Sequence, residues 1–228
     1  MGEGKKMGEE SAIVIDGPAG VGKSTIAKAL ARKLGYTYVD TGAMYRTVTL
    51  FALEKGIPID GDHQEELLGT IEGEAFAFVF VGDDLQVRFG PRDLSQAIRS
   101  PEVTGRVSQV AALPLVRQGL RRRQREIAQK HKVVMEGRDI GTVVLPRARH
   151  KFFLTAAPGE RARRRYQELR AQGRQVEYAQ ICREIEKRDQ LDSTREHDPL
   201  RQAEDAVLVD TTTLDAAAVV DLVIQKLK

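Results

Sequence analysis

The stretch "GPAGVGKS" (residues 17–24) decides the fold. It matches G-x-x-x-x-G-K-[ST]. The apolar run "SAIVIDG" (11–17) before it reads as a buried strand. After it, "KSTIAKALARKLG" (23–35) sets Ile26, Ala27, Leu30 and Leu34 at helical spacing, with Gly35 as the C-cap. Strand, glycine loop and helix in that order are the context the motif requires. The chemistry explains the spacing. Glycines let backbone N–H groups wrap phosphates, and the helix N-terminus adds partial positive charge. Gly17, Pro18, Ala19, Gly20, Val21, Gly22, Lys23, Ser24 and Thr25 are thus expected to bind the phosphates of a nucleoside triphosphate. Lys23 would reach the β- and γ-phosphates, and the Ser24 hydroxyl would ligate Mg²⁺.

Working outward, "YTYVD" (36–40) is the next strand, which makes a parallel α/β core. "AFAFVFV" (75–81) and "LQVRF" (85–89), joined by "GDD", alternate with period two and predict a hairpin with one apolar face. The change of period marks residues from about 60 to 95 as an insertion. Helical character runs from about 101 to 130, and "HKVVMEG" (131–137) and "HKFFLTA" (150–156) are further strands. An arginine-rich helix (159–174), a second helix (176–190), the strand "DAVLVDT" (205–211) and a closing helix (214–228) complete the chain.

The 228 residues carry a net charge of +3 and a single cysteine, Cys182, which has no internal disulfide partner. No apolar run reaches the length of a membrane span, and "MGEGKKMGEE" lacks the apolar core of a signal peptide. A cytoplasmic globular protein is expected. Arginines cluster at 117–125, 160–174 and 183–195, but acidic residues interleave the last two clusters, which argues against a uniform nucleic-acid face. Arginine is also the residue for forked recognition of single phosphates. The chain contains no asparagine, so both the N-K-x-D guanine reader and the catalytic-loop asparagine of a protein kinase are absent. It is too short for a motor or helicase. A small-molecule kinase remains, and it needs a second pocket for the acceptor.

Three stretches supply candidates for that pocket. "DTGAMYR" (40–46) ends a strand and opens a helix capped by Asp40 or Thr41; Thr41 could donate to a phosphate oxygen and Arg46 could fork onto it. "EGRDIGTVVLP" (136–146) sets three polar groups at a strand's carboxyl end, where open α/β sheets bind ligands. "RDQLDSTR" (188–195), if helical, puts Arg188, Asp192 and Arg195 on one face, with two guanidiniums flanking one carboxylate. Taken alone, that spacing also suits a surface ion-pair ladder.

These pieces, with "SQVAALPLVRQGLRRRQRE", "ERARRRYQEL" and "AVLVDTTTL", occur in an order that resembles the bacterial cytidylate kinases of the nucleoside-monophosphate kinase superfamily, from about residue 12 to the C-terminus. The resemblance implies a three-layer P-loop α/β fold with a central parallel sheet. It implies a tail (1–10), a core (11–40, 100–157 and 175–228), a hairpin-containing NMP-binding subdomain (41–99) and a short helical lid (158–174). It implies transfer of a phosphoryl group from ATP to CMP or dCMP with Mg²⁺, by a monomer without nucleic-acid or membrane partners. By similarity, Ser108, Arg117 and Asp139 read the cytosine, while Thr41, Arg46, Arg138 and Arg188 clamp the acceptor phosphate and the transition state. Asp192 with Arg188 would accept from the ribose hydroxyls, and Arg195 leans toward phosphate. Arg161 and Arg165, one helical turn apart, resemble the lid arginines over the adenine and phosphates, with Arg163 and Arg164 as competitors. Lys23, Arg138, Arg165 and Arg188 are the expected catalytic set. One departure stands out: Glu136 occupies a position usually held by Asp, where it would support Mg²⁺ through water. The rival readings are a sister kinase for UMP or AMP and a nucleic-acid-stimulated ATPase.

Overall fold

The computed structural model describes residues 8–81 and 84–227. Most of the expected tail and the tip of the expected hairpin lie outside the described residues. The core begins with β1 (Ile13–Asp16), α1 (Lys23–Leu34), β2 (Thr37–Asp40) and α2 (Thr41–Lys55). α3 (Gln64–Gly69) and the strands β3 (Phe76–Val81), β4 (Asp84–Phe89) and β5 (Arg92–Asp93) follow. Next come α4 (Pro101–Val110), α5 (Pro114–Lys130), β6 (Val133–Gly137) and β7 (His150–Thr155). The helices α6 (Pro158–Ala171) and α7 (Tyr178–Thr194) precede β8 (Val207–Asp210) and α8 (Ala216–Lys226).

β1, β2, β6, β7 and β8 form one parallel sheet in the order β2-β6-β1-β7-β8. β1 lies centrally, with Asp16 in register with Gly137 on one side and Phe153 on the other. The chain first crosses from β1 toward β2 and later toward β7, so the carboxyl end of β1 is a topological switch point and opens a crevice. Period-two alternation sorts the side chains. Ile13 and Ile15 pack with Leu30, Val219 and Val223 beneath α1 and α8, while Val14 packs with Val39, Met135 and Ala128 on the opposite face. Helices on both faces give the expected three layers.

A third cluster joins α2, α3, β4, α4 and α5 through Met44, Phe51, Leu67, Val87, Val103 and Leu120. The hairpin register pairs Phe76 with Phe89 and Phe78 with Val87, as the alternation predicts, and β5 extends it to an antiparallel sheet of three strands. The helical character expected from about 101 to 130 resolves into two helices. It breaks at Ala111–Leu113 because Pro114 has no N–H to continue the ladder and instead begins α5. Two arginines of α5 cap loose carbonyls: Arg123 donates to Ile71 and Glu74, and Arg125 to Val143 and Val144. Part of the basic run therefore staples the fold together.

Gly17 shows how tightly the loop passes the sheet. Its φ is +148°, and an added Cβ would stand 2.2 Å from the Leu154 carbonyl oxygen. Gly17→Ala should cost about 3 kcal/mol, a fall in Tm of roughly 6–12 °C by thermal unfolding. Gly61→Ala, where a Cβ meets nothing within 4 Å, should leave Tm within a degree or two.

Candidate active site

The phosphate loop leaves β1 at the switch point and ends at Gly22, whose left-handed backbone (φ 92°) turns the chain into α1. The Lys23 ammonium is buried and donates to the Pro18 carbonyl at 2.7 Å. Burial, then the nearby Arg138 charge, pulls its pKa below the ordinary lysine value. Asp16, at the end of β1, accepts from the Ile140 N–H at 3.0 Å and the Gly141 N–H at 2.7 Å. It thereby fixes the single π turn Ile140–Val144 after β6. Burial raises the Asp16 pKa to about 7.

Ala19 ties this loop to α6 and α7. Its N–H donates to Asp189 Oδ1 at 3.1 Å, and its carbonyl accepts from Arg161 Nη1 at 3.1 Å. Arg161 also pairs with Asp189 and donates to the Ala156 carbonyl, so its guanidinium is occupied and buried. Arg163 and Arg164 face a groove of about 420 Å³ whose other walls are Gly22, Thr25, Thr213 and Leu214. Arg164 donates to the Thr211 hydroxyl at 3.0 Å. The residues after β8 were missed by sequence reasoning. "TTTL" (211–214) follows a strand's carboxyl end, the same positional signal that singled out "EGRDIG".

Across the crevice lie the residues expected to hold the acceptor. Asp40, rather than Thr41, caps α2, accepting from the Ala43 N–H at 3.0 Å. The Thr41 hydroxyl donates to the Glu136 carbonyl at 2.7 Å. Arg46 donates to the Ile98 carbonyl at 3.1 Å and to Thr104 Oγ1 at 2.8 Å, and burial lowers its pKa to about 10. Arg138 Nε meets Asp192 Oδ2 at 2.8 Å, and Arg188 Nε stands 3.9 Å from the same oxygen. Two guanidiniums do flank Asp192, but the second is Arg138. α7 ends at Thr194, so Arg195 leaves the helical face in extended conformation and the three-residue spacing no longer applies. Burial opposes ionisation of Asp192, yet Arg138 and Arg188 hold it below the usual carboxylate range.

Arg188 is the exposed nerve of the site. Its Nε is buried without a hydrogen-bond partner among the described residues. Burial and the charges of Arg138, Arg46 and Arg165 push its pKa down to about 9. Arg165 pairs with Glu168 at 2.7 Å on α6, close enough for its charge to reach both Arg46 and Arg188. An orphaned N–H amid like charges is costly unless an anion completes it.

Deeper in, Arg117 pairs with Asp139, and Arg195 Nη2 stands 3.3 Å from Asp139 Oδ1. Ser108 is half-buried on α4. The Arg117 guanidinium also lies 5.8 Å from the Tyr45 ring centroid. Near the phosphate loop, the Tyr38 hydroxyl donates to Glu136 Oε1, and the Ser24 hydroxyl is within hydrogen-bonding reach of the same carboxylate. Burial raises the Glu136 pKa.

A loop that wraps a polyphosphate faces a cleft of arginines that calls for a second anion. That pairing defines a P-loop kinase acting on a small phosphorylated acceptor. The family model described as cytidylate kinase matches residues 13–228. A cytidylate kinase from Carboxydothermus hydrogenoformans is 50% identical over 208 residues, covering 91% of this chain and 93% of that protein. One from Caldanaerobacter subterraneus subsp. tengcongensis is 48% identical over 216 residues, covering 95% of this chain and 94% of its own. A bifunctional pantoate ligase/cytidylate kinase from Synechococcus is 47% identical over 96% of this chain and 41% of its own length. The chain belongs to the cytidylate kinase family and phosphorylates CMP with ATP. A UMP or AMP acceptor, or a nucleic-acid-stimulated ATPase, is not favoured.

Asp16 sets a pH signature on the free protein. Its pKa is about 7 folded against an ordinary value of 3.8, so the folded chain binds the extra proton between those values. Stability therefore falls as pH rises through that window. Asp16→Asn loses one acceptor but does not titrate. Relative to the wild type it should gain at most about 1.4 kcal/mol per pH unit from pH 4 to 7 and nothing above. Urea unfolding across that range checks the slope.

Proposed function

We propose the following division of labour for the transfer from ATP to CMP. The orphaned Arg188 Nε, opposite the phosphate loop, is the observation that carries it. Residues 17–25 hold the ATP phosphates. The groove between Arg163, Arg164 and Thr211–Leu214 takes the adenine, and Arg161 acts indirectly by holding Ala19. Thr41, Arg46, Arg138 and Arg188 grip the CMP phosphate, Asp192 accepts from the ribose, and Ser108, Arg117 and Asp139 read the base. Arg195, turned to Asp139, serves the base end rather than the phosphate. Cytosine offers an amino donor beside two acceptors, which suits a carboxylate next to an arginine. Uracil would turn O4 toward that carboxylate and be rejected. The deoxy acceptor dCMP is included.

Mg²⁺ fits the oxygen donors present. No group of three or more His, Cys, Asp or Glu that could hold a metal occurs among the described residues. A hard cation that keeps its waters and takes most ligands from phosphate needs few from protein. Ser24 would ligate it directly and Glu136 through water, and when bound it supplies charge at the β- and γ-phosphate oxygens. No protein nucleophile is required. An oxygen of the CMP phosphate attacks the γ-phosphorus in line as the bond to the β,γ-bridging oxygen breaks, releasing ADP. Lys23 and Arg138, Arg165 and Arg188 neutralise the oxygens of the group in flight. The 41–99 subdomain and the 158–174 lid close to exclude water, which would otherwise take the phosphoryl group.

The proposed protein is a monomer working on small molecules, without nucleic-acid or membrane partners. No helix among the described residues is long and apolar enough to cross a membrane. The free thiol of Cys182 suits a reducing compartment, here the cytoplasm.

Lys23→Met should lower kcat by about 10³-fold or more while Tm is unchanged or raised, because it deletes a buried ammonium. Near-normal turnover would sink the assignment. In a coupled ADP-release assay, CMP should exceed UMP and AMP by well over ~10-fold in kcat/KM. Asp192→Ala should raise the KM for CMP and lower turnover yet keep the preference over UMP. Loss of that preference would move base reading to α7.

A further inference from the structure

Asp198 is the non-glycine residue with positive φ (50°) among the described residues. Aspartate tolerates this region better than most side chains, at a cost of about 1 kcal/mol. The turn it makes does two things at once. Its carboxylate Oδ2 accepts from Arg117 Nε at 2.9 Å and from Arg121 Nη2 at 2.7 Å. Its carbonyl accepts from Arg195 Nε at 2.6 Å. Arg117 and Arg195 are the two guanidiniums that flank Asp139. One residue outside the phosphate and ribose sites thus orients both cations at the base end.

The consequence lies in how a guanidinium can meet a carboxylate. Left free, arginine grips both oxygens with two parallel N–H bonds. Arg117 cannot do so here. Its Nε edge faces Asp198 and its Nη1 donates to the Ala111 carbonyl at 3.0 Å, so only Nη2 reaches Asp139 Oδ2. A carboxylate has about four lone-pair sites. With Arg117 attached through one nitrogen and Arg195 near the other oxygen, Asp139 keeps about two sites open for a further donor.

We infer that Asp198 is a specificity-determining positioning residue: by occupying the Nε edge of Arg117 it keeps Asp139 available to the amino group of cytosine. This rests on the proposed reading of Arg117 and Asp139 as the base-binding pair. Without the Asp198 carboxylate, Arg117 swings to a two-pronged grip on Asp139. With Arg195 also on Asp139, that grip fills about three of the four sites, so the cytosine amino group competes for the last one and uracil faces a carboxylate that is largely neutralised.

Three variants of the full chain test this: Asp198→Gly, which removes the carboxylate without backbone strain, Asp198→Asn, and Asp139→Ala as the reference. kcat and KM are measured with CMP and with UMP, together with KM for ATP and Tm. Asp198→Gly should raise the KM for CMP about 10-fold and cut the CMP-to-UMP ratio of kcat/KM about 10-fold or more, approaching Asp139→Ala. KM for ATP should hold. Asp198→Asn keeps the backbone conformation and one acceptor, and should fall between, which preserves the test if the glycine variant folds poorly. If Asp139→Ala loses the preference while both Asp198 variants keep it, the inference is overturned, whatever happens to Tm. A rise in KM shared equally by CMP and UMP overturns it too, since it marks a scaffold alone. If Asp139→Ala itself keeps the preference, the base-binding reading fails and the inference falls with it.

Discussion

Lys23, Arg46 and Arg188 sit near Arg138 where burial and neighbouring positive charge work against their own, lowering Arg46 to about 10 and Arg188 to about 9, while, against the pull of burial, Asp192 holds Arg138 above its ordinary value. Close like charges in a low-dielectric cleft are expensive in the absence of counter-charge. The protein supplies little: Asp192 is shared by Arg138 and Arg188, and the Arg188 Nε has no hydrogen-bond partner among the described residues. In the proposed reading, the phosphates of the two nucleotides bring the missing negative charge. The electrostatic cost of the free protein and its appetite for phosphate are therefore the same quantity seen from two sides.

The surrounding carboxylates follow one pattern. Asp139 stands between Arg117 and Arg195, Asp198 between Arg117 and Arg121, and Asp192 between Arg138 and Arg188. Such buried pairs contribute little net stability, because desolvation offsets attraction. What they contribute is direction. Each shared carboxylate fixes how its arginines are turned, Arg117 having each nitrogen engaged by Asp198, Ala111 or Asp139. Tyr38 does the same for Glu136 near the phosphate loop, engaging one oxygen of the longer carboxylate.

The phosphate loop was legible in the sequence because its residues are contiguous and backbone geometry demands glycine at fixed places. The hairpin was legible because alternation survives translation into structure. The acceptor side was legible chiefly through resemblance, since its partners are distant: Arg138 and Asp192 are separated by 54 positions. Spacing alone misplaced Arg195, because nothing in "RDQLDSTR" announces that the helix stops at Thr194. The roles of Arg123 and Arg125 were not legible because their partners are backbone carbonyls, which leave no mark on the sequence. Pro114 did announce a break, but helical periodicity on both sides hid it.

Ala19 has both of its backbone polar groups committed to the lid side, the N–H to Asp189 and the carbonyl to Arg161. A swing that carried the root of α6 or Asp189 along would tear the phosphate loop open. The pivot for any such swing therefore falls beyond these two residues. In the proposed closure, α6 and α7 would turn as a lever held at the loop, and small rotations near Arg161 would become long arcs at the tip. The fulcrum and the phosphate cradle are one piece of protein.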